Sequence, residues 1–380
     1  MAILAVNVLV NVYTLYYDEH RPNTTTISAD WLPMAETKKS TLVRVAERAG
    51  VSIASVSRVL NGLPASTQVA ERVRAAAQEL GYVPDATARS LKVGRTDQIA
   101  LAVADVGNPV YVQMMHEVSR VVTKAGFRLV ISSTGGDPQD QIELLTSLNR
   151  GYADGLLLSP LRVTEELVDA LRVSRLPIVI IGSLPDGVEL DSVRADSVAG
   201  VGLAIDHLVG QGHKRIAFVN GPVDTVPGAA RLSGYVKAMN RVGLAMTADT
   251  QVNASDFTYK AGRKAAHRLL EQSTPDAIVC ANDLIAVATL KELAVRGLRV
   301  PEDVALVGMD DTDAAELANP SITSVNLGSI KRAKAAAKLL IRRLATPDAP
   351  VQQVVIEPTL SVRESSVATA HLVADGSQKP

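Results

Sequence analysis

Apolar positions in the segment 41–62 fall at two helical spacings separated by a turn. Leu42, Val45, Ala46 and Ala49 recur at i, i+3, i+4 and i+7, which is one face of a short helix. Gly50 stops that helix. Ser52 stands where it can cap a second one, running from about Ile53 to Leu60 with Val56, Val59 and Leu60 as a narrow apolar stripe. Two short helices joined by a glycine-containing turn make a helix-turn-helix, and in DNA-binding versions the second helix enters the major groove. An αα-hairpin inside an all-helical core has the same pattern, so the spacing alone leaves both readings open.

A third helix is predicted over about 67–80, with Val69, Val73, Ala76, Ala77 and Leu80 on its inner face and Gly81 at its end. Pro84 then fits the start of a short helix over 85–91, which has only Ala88 and Leu91 to bury and too little to fold alone. From residue 97 the texture changes to short continuous apolar runs at 99–103, 129–131, 156–158 and 178–181, followed by a second series at 216–219, 277–280 and 304–307. Amphipathic patterns such as Met114, Val118, Val121 and Val122, closed by Gly126, lie between them. Unbroken apolar strands alternating with such helices predict parallel sheets covered on both faces. Two series predict two α/β halves, and ligands of open α/β sheets bind beyond the carboxyl ends of the strands.

Charge changes the picture of the first segment. The chain of 380 residues carries a net charge of −1, but residues 35–95 hold ten Lys and Arg against five acids, or +5, while 1–34 carry −2 and the remainder −4. A basic excess confined to the helix-turn-helix segment is the electrostatic footprint of a nucleic-acid module joined to a neutral or acidic one. The length predicts two or three domains. Cys280 is the sole cysteine, which excludes an intrachain disulfide and a cysteine zinc cluster and suits the reducing cytoplasm.

Residues 1–33 differ in texture from the rest, holding Trp31 and three of the eight tyrosines. The apolar stretch at 1–17 is too short to span a bilayer and lacks the basic flank of a signal peptide. The polar Met34-Ala35-Glu36-Thr37 reads as an ordinary N-terminus, so residues 1–35 are expected to be an atypical extension with Met34 as the natural start. The small, polar segment 367–380 reads as a disordered tail.

Seven segments occur in one order: A-G-V-S at 49–52, V-S-R-V-L-N-G at 56–62, E-L-G-Y-V-P at 79–84, A-R-S-L at 88–91, R-L-S-G-Y at 231–235, A-N-D at 281–283 and V-G-M-D-D at 307–311. In these segments and their spacing the chain, over residues 41–366, resembles the lactose/galactose-repressor family of bacterial transcription regulators. The resemblance implies a multidomain chain: an all-α helix-turn-helix headpiece at 36–83, a hinge helix and linker at 84–96, and an α/β two-lobed sensor core at 97–366 like a periplasmic sugar-binding protein. Lobe one would comprise about 97–195 and 329–356, and lobe two about 196–326 and 357–366. It further implies a homodimer on a palindromic double-stranded DNA operator, controlled by a small-molecule effector such as a sugar or nucleoside, with no cofactor, metal or membrane.

By that resemblance Ile53, Ala54 and Arg58 read bases. Apolar Ile53 and Ala54 suit thymine methyls, and Arg58 suits guanine O6 and N7. Ser52, Ser55, Ser57 and Asn61 suit phosphate contacts that set register. Ala88 and Leu91 would form the hinge, with Leu91 wedged into the minor groove. In the sensor cleft, Arg231 and Asp310 resemble a polar clamp, Asn282 adds an amide, Phe257 an aromatic wall, and Tyr111 the lining of the opposite lobe. Asp85 stands where the family usually has Asn, and Val69-Ala70 replace the usual Thr-Arg.

Enzyme chemistry finds no constellation. Asp310 and Asp311 are adjacent at a strand end and should point opposite ways, leaving no acid/base pair. Gly200-Val201-Gly202 lacks the third glycine and a strand directly before it. His213 and His267 have no ligand spacing with another His or Cys, and no G-x-S-x-G occurs.

Overall fold

The computed structural model describes residues 41–83, 90 and 94–367. The expected extension, most of the hinge with Ala88 and Leu91, and the tail from 368 lie outside the described residues. The chain divides into two compact units between residues 85 and 86.

The first unit is three helices, α1 (Leu42–Ala49), α2 (Ile53–Leu60) and α3 (Thr67–Glu79). Thr41 caps α1 by accepting from Arg44 N, and Ser52 caps α2 by accepting from Ser55 N. Gly50 ends α1 in the left-handed region at φ 62°, and its N–H closes onto the Ala46 and Glu47 carbonyls. Val45, Ala46, Ala49, Val56, Val59, Val73, Ala76 and Ala77 form the core of this unit. Leu80 is the cap residue of α3 and, like Val69 and Leu60, is only half-buried against that core.

The second unit carries two six-stranded sheets. The first is built from β1 (Gln98–Val103), β2 (Arg128–Ser133), β3 (Gly155–Leu158), β4 (Ile178–Ile181), β5 (Ser192–Ala195) and β11 (Gln353–Ile356), in the order β11-β5-β4-β3-β1-β2 and all parallel. Helices α4 (Pro109–Lys124), α5 (Pro138–Leu148) and α6 (Glu165–Val173) connect its strands. The second holds β6 (Ile216–Asn220), β7 (Gln251–Asn253), β8 (Ala277–Cys280), β9 (Ala305–Met309), β10 (Thr323–Asn326) and β12 (Thr359–Ser361), in the order β12-β10-β9-β8-β6-β7. Helices α7 (Ser197–Gly210), α8 (Val226–Val242), α9 (Tyr259–Gln272), α10 (Asp283–Val295) and the short α11 (Asp313–Glu316) accompany it, and α12 (Ser329–Ala345) returns the chain to the first sheet. Apolar runs at β3, β4, β6 and β8 are buried along their whole length, as a sheet covered on both faces demands.

Two sequence expectations need correction. β2 is an edge strand whose Val130 and Ile131 are 43% and 46% exposed, so its apolar run is not covered on both faces. β12 pairs antiparallel with β10, so the second sheet is mixed rather than parallel. Both differences come from position at a sheet edge, which local apolarity does not encode.

Candidate functional site

In the first unit, packing Val56 and Val59 inward turns Ile53, Ala54 and Arg58 outward on one side of α2. Ile53 is 49% exposed in the first turn, an apolar side chain on a surface rimmed by serines and arginine. The polar residues expected to touch phosphate also bond to one another. Ser52 Oγ lies 2.9 Å from Ser55 Oγ, and Asn61 Nδ2 donates to the Ser57 carbonyl at 2.7 Å and to Ser57 Oγ at 3.3 Å. Arg72, an anonymous basic residue in the sequence, donates from Nη2 to the carbonyls of Ala49 and of Gly50 (2.9 Å for the latter), tying α3 to the turn. Arg48 pairs with Glu79 at 2.7 Å. Two of the basic residues counted above therefore serve the fold of this unit.

In the second unit, a cavity of about 460 Å³ lies between the two sheets' carboxyl ends and is lined from both lobes. Tyr111, Arg231, Phe257, Asn282 and Asp310 all line it. Asn108 caps α4 by accepting from Val110 N, and Pro109 starts it, which sets Tyr111 in the first turn facing Ser159. Burial pushes the Tyr111 phenol above its ordinary range, with Ser159 pulling it down.

Arg231 lies on α8 and Asp310 follows β9, both nearly sealed from solvent at 7% and 5% exposure. Arg231 Nη2 is 3.4 Å from Asp310 Oδ1, and Arg231 Nε is buried with no hydrogen-bond partner. The guanidinium carbon sits 5.7 Å from the centre of the Phe257 ring, within cation–π range. That ring lies directly on the backbone at Gly221, where a Cβ would stand 2.2 Å from Phe257 Cε1, so only glycine admits it. Burial raises the Asp310 carboxyl above its usual range against the downward pull of Arg231 and Arg332.

Asn282 lines the cavity and also holds local structure. It caps α10, its Oδ1 accepting from Ile285 N at 2.8 Å and its Nδ2 donating to the Phe257 carbonyl at 2.9 Å. One of its N–H groups and one lone pair of its oxygen thus place the helix and the Phe257 loop. Asp311 points away from the cavity, toward Arg363, Asn326 and Ser361 at 2.7, 3.0 and 2.8 Å.

Sequence reasoning missed three residues. Arg332, on α12, reads as one more basic residue of an amphipathic helix but lines the cavity beside Arg231, Asp310 and Tyr111. Asp283, part of the A-N-D segment, accepts from Thr312 N, Thr312 Oγ1 and Ser324 Oγ at 2.7, 2.8 and 2.6 Å, and burial pushes its carboxyl up to about 7. Arg162 crosses the cleft mouth, its Nε and Nη2 meeting Asp224 at 2.7 and 3.3 Å while Nη1 holds the Gly136 carbonyl. The Leu161 carbonyl accepts from Val226 N at 2.9 Å alongside. Only Asp283 carried a signal, its place in a matching segment.

A family profile described as bacterial regulatory proteins, lacI family, matches residues 41–85, and one described as periplasmic binding protein-like domain matches 205–366. The HTH-type transcriptional regulator CelR of Thermobifida fusca is 37% identical over 87% of this chain and all of its own length. The chain belongs to the lacI family of bacterial transcriptional regulators. The ribose operon repressor of Escherichia coli (strain K12) is 33% identical over 86% of this chain and its whole length. Among solved structures, a CelR–cellobiose complex superposes with a TM-score of 0.66 at 35% identity, covering 86% of this chain and 99% of that one. A lac repressor dimer bound to operator and the anti-inducer ONPF, at 24% identity, shares the fold with a TM-score of 0.78 over 87% of this chain and all of that one. These relatives are regulators and repressors rather than enzymes, and so is this lacI-family chain. Among the described residues, no helix is long and apolar enough to cross a membrane.

Proposed function

We propose that this lacI-family regulator is a repressor that binds a palindromic operator as a homodimer and is controlled by a sugar or related metabolite, such as a nucleoside, held in the cavity of its core. The observation that carries the proposal is the cavity itself. It is lined from both lobes and its mouth is bridged by Arg162 and Asp224, so occupancy is coupled to how the lobes lie against each other. Ligand and operator affinities then change reciprocally. Cellobiose in the CelR structure supports a carbohydrate-sized ligand.

Base readout is assigned to Ile53, Ala54 and Arg58, and phosphate contact to Ser52, Ser55, Ser57 and Asn61. An exposed isoleucine in the first turn of α2 is costly in water and is covered when it meets thymine methyls. The hinge positions Ala88 and Leu91 complete the assignment. Exposed Val130 and Ile131 on the β2 edge supply apolar surface for a second copy. The lone, buried Cys280 fits a cytoplasmic protein.

Electrophoretic shift of the DNA upstream of the protein's own gene tests the reading. Salt-sensitive specific binding is expected, relieved or strengthened by a ligand that also raises the melting temperature. Binding that is absent or indifferent to DNA sequence sinks it.

A further inference from the structure

Around Asp310 the charges of the cavity do not balance, with Arg231 buried and Arg332 half-buried beside that one carboxyl group. Arg231 and Arg332 both line the cavity, and one buried carboxylate, Asp310, faces them. Arg332 is hydrogen-bonded through Nε to the Leu327 carbonyl at 3.1 Å, and its terminal nitrogens make no hydrogen bond to the described residues. Arg231 adds a buried Nε without a partner. The other lining carboxylates are engaged away from the two guanidiniums. Asp105 and Asp256 are exposed and Asp196 half-buried, and each accepts a backbone N–H of its own turn, from Gly107, Thr258 and Ala199. Asp283 lies behind Asp310, where Thr312 and Ser324 donate to it. Arg162 is paired with Asp224 at the mouth, and Arg194 is exposed.

A guanidinium partly withdrawn from water and sharing one carboxylate with a second guanidinium is unfavourable unless something in its surroundings compensates. Burial does pull the Arg332 pKa down, with Asp310 only partly restoring it. A guanidinium also presents a planar fork that fits the two oxygens of a carboxylate or phosphate. We propose that the effector is a small organic anion whose carboxylate or phosphate is gripped by Arg332 together with Arg231, its remaining body resting on Phe257 and its hydroxyls bonding to Asp310. The inference rests on the cavity being the effector site and narrows its ligand from carbohydrates at large to acidic ones.

The test uses the full chain and its thermal unfolding. Sodium phosphate is titrated at ionic strength held constant with sodium chloride. A saturable rise in melting temperature is expected, following mass action. It should vanish in Arg332→Met, a variant of similar length that removes the uncompensated charge and should melt no lower than the parent. Glucuronate and glucose 6-phosphate then separate a carboxylate from a phosphate source, with glucose and cellobiose as neutral probes. A phosphate response that is unsaturable, or equal in Arg332→Met and parent, overturns the proposal, since the basic headpiece would then be its origin. So does saturation by cellobiose or glucose at lower concentration than by either anion. Loss of specific operator binding would instead sink the regulator reading while leaving a saturable, Arg332-dependent anion site standing.

Discussion

Asp310 and Asp311 are neighbours in the chain and face opposite ways, one toward Arg231 in the cavity and the other toward Arg363 at the base of β10 and β12. Both occupy positive φ, 104° and 54°, in the turn that follows β9. Their substitutions should therefore part company. Asp310→Asn takes the counter-ion from buried Arg231 and should also cost about 2–4 kcal/mol, while weakening the effector about tenfold. Asp311→Asn leaves Arg363 without its counter-ion at a mostly buried place and should cost about 2–4 kcal/mol, with effector affinity changed little in the protein that remains folded. Calorimetric titration beside thermal melts distinguishes them. Equal loss of effector affinity in both variants would contradict the division.

Gly221 and Phe257 give a second test. A methyl at Gly221 would overlap the ring, so Gly221→Ala should push Phe257 off the cavity wall and weaken the effector by tenfold or more. Operator affinity without effector should stay within about twofold. An unchanged effector affinity would show that the ring is not part of the wall.

On α2, Arg58→Ala should lose about 1–3 kcal/mol of operator affinity and relax preference at one base pair per half-site. Selection from a randomised operator library reads this out. An unaltered preference at every position would remove Arg58 from base readout.

Gly50 combines φ 62° with close approach of Arg72, a Cβ there standing 2.6 Å from Arg72 Nη2. Gly50→Ala should destabilise the headpiece by about 1–2 kcal/mol through the left-handed backbone alone. Arg72→Met should cost about 1 kcal/mol by leaving the Ala49 and Gly50 carbonyls without their donor. Hydrogen exchange across residues 41–83 should quicken in both variants, with the core beyond residue 97 unaffected.

Asp283 predicts a pH dependence. Burial raises its carboxyl from about 4 to about 7, so the folded core binds a proton there that the unfolded chain has already lost. That stabilisation is complete below about pH 4 and is lost as the pH rises from there through 7, with a slope of at most about 1.4 kcal/mol per pH unit. Asp283→Asn can still accept from Thr312 and should flatten the melting temperature between pH 5 and 7. A slope identical to that of the parent would assign the titration elsewhere.

Much of this protein was legible locally. The caps Thr41 and Ser52, the stop at Gly50 and the inward stripes of α1 to α3 follow from interactions within one turn of chain, so short-range pattern suffices. The apolar runs of β1, β3, β4, β6, β8 and β9 announce themselves because central strands are buried on both faces. The divergence of Asp310 and Asp311 was also readable, since it needs only adjacency at a strand end.

The remainder depended on partners far away in the chain. β5, β10, β11 and β12 are short and carry polar residues, and they become strands because neighbours pair with them, as Gln353–Ile356 does with Ser192–Ala195. Asn282 reads as a ligand's amide, and only the fold adds its cap of α10 and its hold on the Phe257 loop. Arg332 reads as solvated charge on α12 until the return of that helix to the first sheet brings it opposite Arg231, about a hundred residues earlier. Local pattern thus determined which segments are helix or strand and which family the chain resembles. Only tertiary structure decided which charges are buried together, because desolvation and pairing are set by neighbours that the sequence does not place side by side.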